Sequence, residues 1–189
     1  AEWLRSCVIT PSTLGAPGVK QFVNVDNATF IGFELGYASP QEYKLGVNVV
    51  AAITYGLIPE VTKHIIAAGQ VTGDTLLKND ALPEIPPFET TISINYHMLK
   101  GKLIPKIAYR LVAAQNHVSE AFYEPETPGF SLLNFTVTYK VSKNIGINAG
   151  VNNIFDVSYY EHLNRKIVGS TEKLYEPGRM FFVTLNLSI

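Results

Sequence analysis

The sequence predicts an all-β fold, an antiparallel transmembrane β-barrel, and three observations carry that expectation. Hydrophobic side chains alternate with polar ones over unusually long runs. The composition is apolar and poor in charge, yet without a long apolar stretch. The connections between the alternating runs are short and long in turn.

Of 189 residues, 47% are hydrophobic and 16% charged, against roughly 25% charged in ordinary soluble domains. No apolar run approaches the ~18 residues that a membrane helix needs. Hydrophobicity of that amount, without such a run, has to be spread along strands, where successive side chains point to opposite faces. The 15 basic and 16 acidic residues nearly cancel, which excludes a strongly basic nucleic-acid surface.

The strands can be read in order. An opening segment near 3–10 is followed by Ile31, Phe33, Leu35 and Tyr37 opposing Gly32, Glu34 and Gly36. Tyr43, Leu45, Val47, Val49, Ala51, Ile53 and Tyr55 oppose Lys44, Gly46, Asn48 and Thr54. Next come Ile92, Ile94, Tyr96 and Met98 against Thr91, Ser93, Asn95 and His97, then Ile107, Tyr109, Leu111 and Ala113 against Lys106 and Arg110. Leu133, Phe135, Val137, Tyr139 and Val141 oppose Asn134, Thr136, Thr138 and Lys140. Ile145, Ile147, Ala149 and Val151 oppose Gly146, Asn148, Gly150 and Asn152. The chain closes with Phe181, Val183, Leu185, Leu187 and Ile189 against Thr184, Asn186 and Ser188. That makes about eight strands, several of them near the ~9–11 residues that a tilted strand needs to cross a bilayer.

Short links at Ser39-Pro40-Gln41, Lys100-Gly101 and Ser142-Lys143-Asn144 alternate with long ones near 11–20, 57–88, 116–129 and 153–178. Tight turns on one side of a membrane and long loops on the other give this pattern. Within the second long link, periodicity leaves 59–68 open between a short helix and a strand continuing above the membrane. Tyr37, Tyr43, Tyr55, Tyr96 and Tyr139 lie near strand ends, as an interfacial girdle requires. Pro83, Pro86, Pro87, Pro125 and Pro128 fall in long links, and Pro105 near a strand start, where a missing N–H is tolerated.

A soluble lipocalin-like barrel would turn its apolar face inward and carry Lys and Glu outside. Here the polar face is Asn, Thr, Ser and Gly, which suits a water-filled or plugged lumen. The single Cys7 excludes an internal disulfide framework and fits a buried or lipid-facing thiol. No secretory leader is visible at Ala1, and the first residues look like a strand already under way, as in the interior of a longer protein.

The run Gly150-Val151-Asn152-Asn153-Ile154-Phe155-Asp156, then Tyr159-Tyr160-Glu161-His162-Leu163, then Glu176-Pro177-Gly178-Arg179, adds a more specific pattern. Weaker matches in the same order are Asn24-Val25-Asp26-Asn27-Ala28 with Gly32-Phe33-Glu34, Leu82-Pro83-Glu84-Ile85-Pro86-Pro87 and Thr127-Pro128-Gly129-Phe130. With these motifs the chain, from about residue 22, resembles the TonB-dependent receptors, the plugged 22-stranded transporters of the bacterial outer membrane. It looks closest to the copper and iron-complex receptors, with Tyr109-Arg110-Leu111-Val112-Ala113-Ala114-Gln115 as a further likeness. At the last position, Ile189 stands where such barrels usually carry an aromatic.

The resemblance implies that residues 1–189 form the C-terminal portion of such a barrel, the last eight of its strands. The implied function is active uptake of a scarce nutrient, a metal ion or iron chelate, and not an enzymatic reaction. The implied partners are the rest of the barrel and its plug, the TonB–ExbB–ExbD complex acting through an N-terminal part, and the lipid bilayer with lipopolysaccharide. No cofactor and no nucleic acid are implied. The alternative is a self-contained eight-stranded outer-membrane barrel with a structural or adhesion role.

Within the motif, Gly150 is expected to permit close backbone approach, Asn152 and Asn153 to form a turn or bulge, and Asp156 to cap the following segment. Phe155 and Gly178 complete the motif, and Arg179 is expected to form a salt bridge or lumen contact. Ligand-handling candidates lie in two long links: His117, Glu120 and Glu124 in one, Glu161, His162 and Arg165 in the other. Imidazole and carboxylate groups there offer nitrogen and oxygen donors to a metal or chelate. The same residues also fit solvated loops or inter-loop hydrogen bonds. Lumen-facing Glu34, Lys44, Lys106, Arg110 and Lys140 are expected to bond a plug or one another. No nucleophile–base pair or phosphate-binding glycine loop is present.

Overall fold

The computed structural model describes residues 4–6, 21–23, 27–40, 44–67, 70–164 and 173–188. Strands β1 (Leu4–Ser6) and β2 (Gln21–Val23) pair as a separate two-stranded sheet. The main sheet holds eight antiparallel strands: β3 (Thr29–Ala38), β4 (Leu45–Ala67), β5 (Gln70–Ala81), β6 (Glu89–Tyr96), β7 (Leu103–Val112), β8 (Phe130–Lys140), β9 (Ile145–Asn152) and β10 (Met180–Leu187). Every strand expected from residue 31 onward is present. The opening segment 3–10 differs: its described residues belong to β1, outside the main sheet, and the rest of it lies outside the described residues.

Register explains why the alternation is so regular. Opposed residues lie on the same face, and here apolar meets apolar from one edge of the sheet to the other. Ile31 faces Tyr55 and Phe33 faces Ile53; Val47 faces Ile94; Ile94 faces Ile107. Ile107 then faces Phe135, Phe135 faces Val151, and Val151 faces Phe181. The other face is matched in the same way, with Asn95 opposite Lys106, Thr138 opposite Asn148 and Asn148 opposite Thr184. A slip of one residue in any strand would transfer its whole apolar set to the polar face.

The long segment 57–88, read as a connection, is largely strand. β4 continues to Ala67 and turns back as β5, with Leu57 opposite Ala81 and His64 opposite Asp74. This settles 59–67 as a strand extension, its inward-facing backbone groups paired with those of β5. β5 and β6 lie along the same side of β4, Ala81 opposite Leu57 and Glu89 opposite Ala52. They form one strand interrupted by the excursion 82–88. The short links at 39–44, 97–102 and 141–144 lie at one end of the main sheet, and the long links that follow β7 and β9 leave from the other end.

The buried core also sits at that end. Ile58, Ala81, Leu82, Val112, Ala121 and Leu132 are buried, whereas the apolar face of the sheet is open, with Phe181 76% and Val183 78% exposed. Tyr37, Tyr96 and Tyr139 stand on this face at the short-turn end. No helix among the described residues is long and apolar enough to cross a membrane.

Candidate functional site at the long-link end

The family-like motif acts as a hinge between β9 and the last long link. Gly150 lies under the Phe182 ring, and a Cβ there would stand 2.6 Å from the Phe135 carbonyl oxygen and 2.8 Å from Phe182. The backbone oxygen cannot move away, so the close approach anticipated for Gly150 is real. Gly150→Ala is expected to cost ~1–3 kcal/mol through overpacking, read as a lower midpoint in denaturant unfolding of the folded barrel.

Asn153 adopts a left-handed backbone, φ 53°, a conformation asparagine tolerates better than most residues. Its Oδ1 accepts from the Val157 N–H at 2.8 Å, its Nδ2 donates to the Val157 carbonyl at 2.9 Å, and its own N–H donates to Asn134 Oδ1 at 2.8 Å. Asn152 does not share the turn; it is the last rung of β9, opposite Met180. Asp156 Oδ1 accepts from the Arg179 N–H at 2.7 Å, clamping the start of β10. Gly178 is what lets it approach, since a Cβ there would sit 2.5 Å from that oxygen. The Arg179 guanidinium donates to the Ile154 carbonyl at 3.4 Å. Phe155 is exposed.

The candidate ligand-handling residues come together only in part. Glu161 joins Arg110, which lies on the polar face of β7. Arg110 forks onto Glu89, Nε to Oε1 at 2.7 Å and Nη2 to Oε2 at 2.8 Å, and sends Nη1 to Glu161 Oε1 at 2.6 Å. The guanidinium also stands 5.4 Å from the Phe130 ring, on which Tyr159 packs at 4.4 Å. A bidentate, charge-assisted pair of this kind is among the stronger polar contacts. It fixes the last long link to the wall.

His162 and Glu124 meet across the two links. His162 Nε2 lies 3.2 Å from Glu124 Oε1 and its Nδ1 lies 3.0 Å from Thr127 Oγ1. The side chains are 3% and 12% exposed. Glu124 also accepts from the Glu84 N–H at 2.7 Å and the Ser119 N–H at 2.9 Å. Burial pushes this carboxyl up, but the His162 contact and the two backbone donors outweigh it, so its pKa lies below the ordinary carboxylate value. The sign follows: with the folded pKa depressed, the stabilisation is fully present above the ordinary value, ~4.3, and fades as pH falls through the lower folded value. Proteolysis of the 113–129 link is therefore expected to be unchanged from pH 7 to 5 and to accelerate below about pH 4.

His117 and Glu120 point elsewhere. The His117 ring stacks on Tyr55 at 4.2 Å and its Nε2 lies 3.3 Å from the Gly56 carbonyl. Glu120 accepts from Lys63 Nζ at 2.7 Å. Arg165 lies outside the described residues. Among the described residues, no three His, Cys, Asp or Glu side chains are grouped so as to hold a metal ion.

Sequence reading missed Asp80, Ser119 and Glu89. Buried Asp80 accepts from Ser119 Oγ at 2.5 Å, from the Glu120 N–H at 2.9 Å and from the Ala121 N–H at 3.1 Å. It caps the turn that carries Glu120. Asp80 and Ser119 are 39 residues apart, so no local pattern joins them. Glu89 could have been suspected, because register places it diagonally from Arg110 on the polar face once the two strands are paired.

Comparison with known proteins assigns this architecture. Residues 7–154 match the family model of the TonB dependent receptor-like β-barrel. The chain belongs to the TonB-dependent receptor family. Among solved structures, the copper transporter OprC shares 27% identity at a TM-score of 0.72, over 90% of this chain and 25% of that one. The FrpB iron transporter from Neisseria meningitidis, F3-3 variant, shares 17% at 0.63, over 97% of this chain and 27% of that one. The ferric yersiniabactin uptake receptor FyuA from Yersinia pestis shares 15% at 0.63, over 88% and 24%. The last two likenesses show the fold alone. The chain thus spans about a quarter of the length of these structures. No curated protein matches it in sequence.

Proposed function

We propose that residues 1–189 form the C-terminal portion of the barrel of an outer-membrane active transporter, which takes up a scarce nutrient with TonB-derived energy. The family match over 7–154 carries this reading. The sheet supports it physically. Its end strands are β10 and β3, and lipid does not tolerate open strand edges, so both edges pair with the remainder of the same barrel. A self-closed eight-stranded barrel, the structural or adhesion alternative, would instead require β3 to pair with β10.

In this reading the apolar face contacts the bilayer and lipopolysaccharide, and the polar face lines a lumen closed by a plug. The TonB–ExbB–ExbD complex acts through the plug-bearing N-terminal part. The substrate is a metal ion or an iron chelate, and its class is favoured by the likeness to a copper transporter. His117, Glu120, Glu124, Glu161, His162 and Arg165 would handle it at the outer mouth, where His162, Glu124 and Glu161 already lie on adjoining links.

The test is uptake of radiolabelled copper or iron chelate by cells with and without the full-length protein. Uptake is expected to depend on the protein and to cease when a protonophore collapses the inner-membrane gradient. Uptake that persists without the gradient would contradict active transport.

A further inference from the structure

We infer that the three long links at the outer end form a single cap, joined at the carboxylate of Glu124, and that they open together rather than one by one. This deepens the transporter reading, on which the cap's role at the mouth rests, by giving Glu124 a positioning role in holding the links together.

The geometry is unusual in how many chain segments share one side chain. Glu124 belongs to the link between β7 and β8. Its Oε1 takes the Glu84 N–H, from the excursion after the β4–β5 hairpin, at 2.7 Å, and faces His162 Nε2, from the link between β9 and β10, at 3.2 Å. Its Oε2 takes the Ser119 N–H of its own link at 2.9 Å. Both carboxylate oxygens are therefore engaged, and the group is largely withdrawn from water. Loss of such a buried acceptor leaves several donors unsatisfied at once.

Other contacts reinforce the same three segments. Asp80 of the hairpin holds the Ser119–Ala121 turn through three hydrogen bonds. Gln115 Nε2 donates to the Ile85 carbonyl at 2.8 Å, and Lys63 Nζ to Glu120 at 2.7 Å. His162 also holds Thr127 through Nδ1. A threonine hydroxyl can donate or accept, so the Thr127 contact persists whether Nδ1 carries a proton or not. The cap meets the wall at Arg110, which reaches Glu161 from β7.

The experiment is hydrogen–deuterium exchange on the full-length receptor purified in detergent, comparing wild type, Glu124→Ala and His162→Gln. In Glu124→Ala both acceptor oxygens are lost and the Glu84 and Ser119 N–H groups and His162 lose their common partner, so exchange in 82–88, 119–124 and 157–163 is expected to rise together, about tenfold. Amides of β7, β8 and β9 stay protected. His162→Gln is expected to loosen 157–163 and leave 82–88 near wild type. A rise confined to 119–124 in Glu124→Ala would overturn the proposal.

Should Glu124→Ala disturb the strands as well, wild type alone decides. At raised pH, where opening limits exchange, the three segments are expected to share one opening rate. Three different rates would overturn it. Exchange needs no substrate, so a shared cap without gradient-driven uptake would remove the transporter reading and leave the cap standing.

Discussion

Ile107→Arg is expected to destabilise the folded barrel by ~2–4 kcal/mol, whereas Thr136→Arg is expected to cost under ~1 kcal/mol, from the like charge of the facing Lys106. The two positions lie on adjacent strands one rung apart: Lys106 is opposite Thr136 and Ile107 is opposite Phe135. They differ only in the face they occupy. Ile107 is 50% exposed on the apolar face and flanked by Ile94 and Phe135. An arginine there would place its charge among hydrocarbon chains, near the middle of β7. Thr136 faces Lys106 and Gly150, where water solvates the charge and only the like charge of Lys106 opposes it. Unfolding of the full-length protein in lipid vesicles, followed by denaturant titration, measures both. Equal costs, in either direction, would show that the two faces do not differ in solvent.

Arg110→Ala is expected to cost ~2–3 kcal/mol, below the ~3–5 kcal/mol for loss of one partner from a fully buried ion pair. The reduction reflects partial exposure: the Arg110 side chain is 25% exposed and Glu89 42%. Two carboxylates would be left facing each other without their shared cation, and Phe130 would lose its guanidinium neighbour. Arg110→Lys keeps the charge but not the fork, because an ammonium is a point donor, so about half of the loss should return. The same denaturant titration reads both variants. A larger rise in proteolysis of the 153–164 segment than of the 82–88 excursion would mark Glu161 as the contact released.

Much of this fold could be read from the sequence because a half-lipid, half-lumen sheet writes itself as strict alternation. Ile31 to Tyr37, Leu133 to Tyr139 and Val183 to Leu187 each carry one apolar and one polar face without interruption, and each became a strand in register. Segment 57–88 was harder to read. Pro59 and the mixed polarity of Glu60, Thr62, Lys63 and His64 conceal a hairpin whose faces both leave the membrane, so no single solvent imposes a pattern. The opening residues carried apolar character but no partner that sequence could name.

The site was legible only in its local parts. Asn153, Asp156 and Gly178 act within one turn, and their residue types already imply a left-handed bend and a capping carboxylate. Asn152 is of the residue type that favours such a turn, but ladder pairing with Met180 claims it. His162 and Glu124 both stand out by residue type, yet nothing local says that they meet, since 38 residues separate them. Partner choice across links depends on strand register and link path, which two-residue periodicity does not encode.

Odd-numbered positions of β8 are expected to face lipid and even-numbered ones an aqueous or polar lumen. Spin labels at single cysteines introduced from 132 to 139, with Cys7 replaced by serine, test it most directly in the full-length protein in lipid vesicles. Collision with oxygen is expected to peak at 133, 135, 137 and 139, and collision with a water-soluble nickel chelate at the intervening positions, with a period of two. Flat profiles, or chelate access greatest at the odd positions, would contradict the assignment of this sheet to a membrane wall.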